Sequence, residues 1–275
     1  MALNMPTFYK RTGSAIVFAI IMLGGLLWNE WAFLGLICLI NALCLRDYFR
    51  LIQKIDKEAY WPWWVPACIQ AIALLLLLTF YITDERIAGV LWMTFKILPV
   101  VPALMLLGGV LAKKQSLMAM LQAAGGLLYI TLPMILLGNM RERDFVLPLA
   151  LILMIWSNDT LAYLVGSFIG KTPFSPISPK KTWEGTIGGA VLTIAGACVY
   201  GYLSGTYRLA DWVMLALCAA VAGTLGDLLE SKLKRMADVK DSGTMMPGHG
   251  GAMDRFDSLL VAAPFAFMYV FYFMR

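Results

Sequence analysis

Nine apolar windows run through this chain, at about 14–28, 31–45, 62–82, 88–112, 117–139, 144–169, 186–204, 209–229 and 256–274. Crossing the hydrocarbon takes roughly 20 apolar residues in a helix, so 275 residues divided in this way leave short connections and no sizeable soluble domain. Charged residues make up 14% of the chain, against about 25% in soluble globular proteins, and hydrophobic residues 60%. That balance excludes an ordinary soluble enzyme. The expected fold is therefore all-α: a polytopic integral membrane protein with about nine transmembrane helices. A single membrane-embedded domain is expected over 1–275, with N-terminal helices over about 1–140 and a second group of helices and loops over about 144–275. The first two windows are short and share a tight Asn29-Glu30 connection, so a helical hairpin that spans incompletely is an alternative there. The fourth holds Lys96, Pro99 and Pro102, and the prolines should kink or break it.

The basic residues give this layout a direction, because loops on the cytoplasmic side carry the excess of Lys and Arg. Sixteen of the 22 fall on the N-terminal side of the membrane: Lys10 and Arg11, the 46–57 connection, Lys113 and Lys114, the 171–181 connection, and the block after window eight. Five fall on the other side, and Lys96 lies inside the fourth window. The N-terminus is thus expected in the cytoplasm, together with the 170–185 loop and the charged block. The net charge of +5 reflects this topology and gives no reason to expect a nucleic-acid partner. No small-residue cleavage site follows the first apolar run, so a retained first helix is expected rather than a signal peptide. All five cysteines lie inside apolar runs with no CxxC spacing, which suggests neither a disulfide framework nor a thiolate metal site. Trp61-Pro62-Trp63-Trp64 reads as an interfacial aromatic belt.

The charged block is Asp227 to Ser258, with six acids, five bases and the chain's single histidine, His249, in 32 positions. Asp227, Glu230, Ser231 and Lys234 recur at i, i+3, i+4 and i+7 and so share one helix face. A solvated helix end would look the same. However, Asp227 sits at the edge of an uncharged span, where a carboxylate costs roughly 2.5–3.5 kcal/mol and usually serves a function. Asp254, Asp257 and Ser258 repeat the spacing as the last helix begins. Acids there suit the helix dipole. Taken with the first cluster, they also offer hard oxygen ligands of the kind Mg2+ prefers. Between the clusters lies Pro247-Gly248-His249-Gly250-Gly251, either a plain flexible loop or a set of backbone amides able to approach an anion. Lys232, Lys234, Arg235 and Lys240 serve equally as membrane-side anchors or as counter-charges to a polyphosphate.

Two more stretches carry candidate chemistry. Asp159, with Ser157, Asn158, Thr160 and Tyr163, stands within the sixth window and needs a cation or polar partner. Ser178-Pro179-Lys180-Lys181-Thr182-Trp183-Glu184-Gly185 combines lysines, hydroxyls and an aromatic ring just ahead of the seventh helix, which Thr182 or Gly185 can cap. The nearby Gly166…Gly170-Lys171-Thr172 imitates a P-loop. It has three residues between the glycines instead of four, follows no strand and runs into Pro173, so that reading fails.

Ser231-Lys232-Leu233-Lys234-Arg235, Lys240-Asp241-Ser242-Gly243, Pro247 to Gly251, and Asp254-Arg255-Phe256-Asp257 together resemble the signature of the phosphatidate cytidylyltransferase (CDP-diacylglycerol synthase) family. The likeness is strong over the C-terminal half and general over the first 140 residues. Ser157-Asn158 departs from the small apolar residues expected ahead of Asp159. The resemblance implies a reaction of CTP with phosphatidate in the bilayer to give CDP-diacylglycerol and pyrophosphate, with Mg2+ as cofactor. It implies an active site facing the cytoplasm from the cell membrane, and a homodimer. By the same resemblance, Asp227 and Asp254 are the principal metal ligands and Asp257 and Asp159 the secondary ones. Lys234, Arg235, Lys240 and His249 would hold the triphosphate, with Ser231, Arg255 and the amides of Gly250 and Gly251. Lys180, Lys181 and Thr182 would meet the lipid phosphate or CTP. Two rivals stand beside this reading: an enzyme that phosphorylates a lipid alcohol with CTP, and a secondary transporter. The transporter is disfavoured because transporter sites lie near the midplane of repeated halves. Here the charges gather at one face without a visible repeat.

Overall fold

The computed structural model describes residues 5–57, 64–79, 117–245 and 250–274. The fourth window, with Lys96, Pro99 and Pro102, lies outside these residues, as does His249. In their described residues the other windows are helical. In chain order the helices are α1 (Met5–Leu27), α2 (Glu30–Ile55), α3 (Trp64–Thr79), α4 (Leu117–Gly126), α5 (Leu132–Arg143), α6 (Val146–Ile169), α7 (Trp183–Ser204), α8 (Leu209–Leu217), α9 (Gly223–Met236) and α10 (Met253–Tyr272). A π-helical turn, Leu127–Thr131, joins α4 to α5, and another, Cys218–Ala222, joins α8 to α9. Among the described residues five helices are long and apolar enough to cross a membrane: Glu30–Ile55, Met118–Arg143, Val146–Ile169, Trp183–Ser204 and Leu209–Met236. The protein is an all-α membrane protein.

The structure departs from the sequence reading in two places. The helix starting at Glu30 does not end near residue 45 but continues to Ile55. Arg46, Arg50 and Lys54 repeat every four residues on its exposed side, while Tyr48, Phe49, Leu51 and Ile52 are buried. A hydropathy window averages the two faces and stops too early. Asn29 opens the helix by accepting the Ala32 amide at 2.7 Å, so α1 and α2 are separate helices with a defined break. The second departure lies between α6 and α7, where a small antiparallel hairpin forms from β1 (Pro173–Ser175) and β2 (Ser178–Thr182), pairing Pro173 with Thr182 and Ser175 with Ser178.

The chain divides into two compact units. One contains Met1–Gly138 and Met236–Arg255. Its interior includes Phe33, Ile37, Leu45, Ile69, Leu77 and Ile130, and the Tyr48 hydroxyl donates to the Gln122 carbonyl at 2.7 Å. The other contains Asn139–Arg235 and Phe256–Arg275. There α6 and α7 make the most extensive helix pair, and glycines on α7 allow it. A Cβ at Gly189 would lie 2.7 Å from the Ala162 amide nitrogen, and one at Gly185 2.7 Å from the Ala162 carbonyl oxygen. Small residues four apart let helix backbones meet in lipid, where apolar burial drives no association. At the end of this unit away from the charged block, Arg143 donates to the carbonyls of Val270 and Met274, Tyr269 to Asp211, and Tyr207 to Asp144 at 2.7 Å. Burial and then the Asp144 carboxylate push the Tyr207 phenol up to about 12, so it remains a neutral donor at physiological pH.

Gly189→Val should therefore force α6 and α7 apart. We expect a loss of about 1–3 kcal/mol, seen as a lower thermal midpoint of the detergent-solubilised protein, whereas Gly196→Ala, whose Cβ meets nothing within 4 Å, should leave the midpoint unchanged.

Candidate active site

The span Leu209–Met236 interrupts its α-helical pattern at Cys218–Ala222, one turn before Asp227. Such π-turns alter the direction in which the following side chains point and are frequent at functional sites. Beyond it, α9 presents Asp227, Glu230, Ser231 and Lys234 along one face. Ser231 Oγ lies 3.3 Å from Asp227 Oδ1, and Lys234 Nζ 2.7 Å from Glu230 Oε2. Glu230 is fully buried (0% exposed), and Lys234 sets an opposite charge beside it.

Asp257 reaches the same place from α10. The two helices can meet because residue 226 is glycine: a Cβ there would collide with the Asp257 carbonyl oxygen and lie 3.1 Å from Val261. As a result Asp227, Glu230 and Asp257 each offer a carboxylate oxygen, all within 4.8 Å of one another. Asp257 Oδ1 also accepts the Ser258 amide at 2.6 Å.

A fourth group enters from the hairpin. Successive strand residues point to opposite sides. Lys181 therefore turns inward to pair with Asp227 while Lys180 remains exposed. The hairpin is anchored at both ends. Thr182 caps α7, its hydroxyl accepting the Gly185 amide at 3.2 Å, and Glu184 accepts the amides of Lys171 and Thr172 and the Thr172 hydroxyl. The Thr182 hydroxyl is thus engaged in the helix cap.

Three carboxylates faced by Lys181 and Lys234 keep one excess negative charge when all are ionised. The donor set fits a small hard cation, since opposite ligands of octahedral Mg2+ stand about 4 Å apart. Asp227 and Asp257 are the members that the sequence reading assigned to metal. Glu230 shares the Asp227 face in the sequence pattern and is not among those candidates. Asp159 is exposed on α6, and its neighbour Asn158 is the buried residue, 3% exposed. Arg235 is exposed near the end of α9.

The remaining candidates belong to the first unit. Asp254 Oδ2 accepts three hydrogen bonds, from the Ser242 amide at 2.8 Å, the Ser242 hydroxyl at 2.8 Å and the Gly251 amide at 2.7 Å. The Gly251 N–H is thereby engaged by Asp254. Gly250 has φ +82°, the left-handed region, and a Cβ there would lie 2.5 Å from Asp254 Oδ2. Lys240 and Arg255 are exposed. Asp47 of α2 also reaches this segment, accepting the Ala252 amide at 2.6 Å, a contact the sequence did not foretell.

The chain belongs to the cytidylyltransferase family, whose model matches residues 9–273. It is similar to curated proteins named phosphatidate cytidylyltransferase. The Bacillus subtilis protein is 47% identical over 115 residues, 41% of this chain and 43% of that protein. The Haemophilus influenzae protein is 38% identical over 128 residues, 44% of each chain, and the Synechocystis protein 44% identical over 119 residues, 42% of this chain and 40% of that one. These alignments thus cover less than half the length of each relative.

If the three carboxylates form a cation site, Asp257→Asn and Asp227→Asn should each weaken Mn2+ binding by at least about ten-fold, read by titration calorimetry on substrate-free protein. Gly226→Val, which touches no carboxylate, should weaken it as well by separating α9 from α10.

Proposed function

We propose that this protein is a phosphatidate cytidylyltransferase, transferring the cytidylyl group of CTP to phosphatidate and releasing pyrophosphate. The observation that carries the reading is the carboxylate cluster of Asp227, Glu230 and Asp257, flanked by Lys181 and Lys234 and built on helix ends of a membrane protein of the cytidylyltransferase family. The names of the relatives support the choice of substrates.

A phosphate oxygen of phosphatidate forms a bond to the α-phosphorus of CTP, and the bond from that phosphorus to the bridging oxygen of the β-phosphate breaks. The nucleophile is already an anion, so neither a covalent enzyme intermediate nor a strong base is needed. The work left to the protein is positioning and charge neutralisation. Mg2+ held by Asp227 and Asp257, with Glu230 and Asp159 as further oxygen donors, would neutralise the phosphates, and the family resemblance adds Asp254 as an acid of the same reaction. Lys181, near the base of its hairpin, would share its charge between Asp227 and an incoming phosphate. Lys180 would meet the lipid phosphate from the exposed side of the same strand. Lys234, Arg235, Lys240 and His249 would balance the triphosphate and the leaving pyrophosphate, assisted by Ser231, Arg255 and the Gly250–Gly251 turn.

Both units of the chain are proposed to act as one membrane-embedded enzyme of about nine spans in the cell membrane. The asymmetry of Lys and Arg supports a cytoplasmic N-terminus and a charged block on the side where CTP is available.

Purified protein in mixed micelles should form CDP-diacylglycerol and pyrophosphate only when CTP, phosphatidate and Mg2+ are all present. Asp227→Asn and Asp257→Asn should each reduce kcat by at least about a hundred-fold. Formation of CDP and a newly phosphorylated lipid from a lipid alcohol would reject the reading in favour of a lipid kinase.

A further inference from the structure

The last helix, α10, starts without a capping residue of its own. Gly251, Ala252 and Met253 precede its first acid, and none has a side chain able to accept an amide. A helix N-terminus leaves backbone N–H groups that need acceptors. Here the acceptor comes from far away in sequence. Asp47, 205 residues earlier on α2, accepts the Ala252 amide at 2.6 Å and the Met253 amide at 3.4 Å, both through Oδ2. Asp47 is 4% exposed, a buried carboxylate on the inward face of the amphipathic extension of α2. Such a group persists only where its surroundings satisfy it.

The fit around this carboxylate is close. A Cβ on Gly243 would lie 2.5 Å from Asp47 Oδ1, and one on Gly251 would collide with Oδ2. The backbone of 243 and 251 therefore passes directly against Asp47. The amides of 251, 252 and 253 are used in succession, the first by Asp254 and the next two by Asp47. Asp254 in turn holds Ser242 through both its amide and its hydroxyl. The two acids thus close a loop: Asp47 fixes the start of α10, and α10 presents Asp254 to Ser242 and Gly251.

We propose that Asp47 is a positioning residue for the reaction, holding Gly243 and the stretch 251–253 so that Asp254 and Gly250 stand ready for the CTP phosphates and their counter-ion. The assignment of this segment to CTP rests on the function proposed above, while the positioning itself rests on Asp47's contacts. A residue that only stabilised the membrane bundle would affect both substrates alike. Asp47 touches the segment assigned to CTP, so its loss should fall on CTP.

Asp47→Ala, Asp47→Asn and Gly243→Ala are compared with wild type by hydrogen exchange and by kinetics with each substrate varied. In Asp47→Ala, exchange in the 242–254 peptide should accelerate at least about ten-fold while a peptide from α7 stays unchanged, since freed amides open locally. Its kcat/KM for CTP should fall about a hundred-fold with KM for phosphatidate within about two-fold, the scale expected of a misplaced site. Asn keeps one carbonyl oxygen with two lone pairs and should restore kcat/KM to within about five-fold of wild type. Gly243→Ala, which pushes on the carboxylate without removing it, should reproduce the CTP defect and decides the matter if Asp47→Ala does not accumulate. A wild-type kcat/KM for CTP in Asp47→Ala overturns the proposal, as does an equal loss for both substrates that Asn fails to rescue. If the wild-type protein makes no CDP-diacylglycerol, the functional reading fails. The exchange comparison then still tests the positioning: unchanged exchange in the 242–254 peptide overturns it.

Discussion

Like charges held close together have to be forced there, and the second unit is organised around one such case. Asp227, Glu230 and Asp257 present oxygens within 4.8 Å of one another at the junction of α9 and α10. Left to Coulomb repulsion alone they would separate, and in a medium poorer in water than the surface that repulsion is strong. Gly226 removes the steric obstacle to the approach, Lys234 offsets Glu230 one turn along the helix, and Lys181 offsets Asp227 from outside it. The hairpin has to exist for Lys181 to be available. Glu184 and Thr182 hold it to the start of α7, and the glycines of α7 bring that helix against α6.

Much of the helical framework was legible because apolar length is a local signal. Apart from the fourth, which lies outside the described residues, the windows correspond to helices in their described parts, with α1, α2 and α9 running several residues further than the windows. Two features escaped for physical reasons. The extension of α2 to Ile55 is amphipathic, with Arg46, Arg50 and Lys54 on one side and buried Tyr48, Phe49 and Leu51 on the other, so an average over its residues reads as a polar connection. The hairpin forms from Pro173 to Thr182, a stretch that carries no alternating apolar face to mark it as strand. The alternation that matters is between the two lysines.

The acids show the same division between local and distant information. The spacing of Asp227, Glu230 and Lys234 was visible as a helix face, and the structure adds only that Glu230 is buried in it. Asp257's approach to that face could not be read from spacing, because it depends on a glycine in the neighbouring helix. Asp47 was the least visible of all. In sequence it is one acid among arginines, and its partners are backbone amides, which leave no mark on residue type.

That separation has a consequence for how the protein is made. Residues 47 and 252 are 205 positions apart, so at about 5–20 residues per second the ribosome needs roughly 10 to 40 s to supply the partner after Asp47 has emerged. Throughout that interval a carboxylate destined for the protein interior stands on the end of α2 with its final acceptor role unfilled. Water, lipid head groups or the insertion machinery must satisfy it in the meantime. Asp254 and Asp257 then find their partners among the last parts of the chain, so a nascent chain interrupted before α10 has most of its helices and lacks both acids.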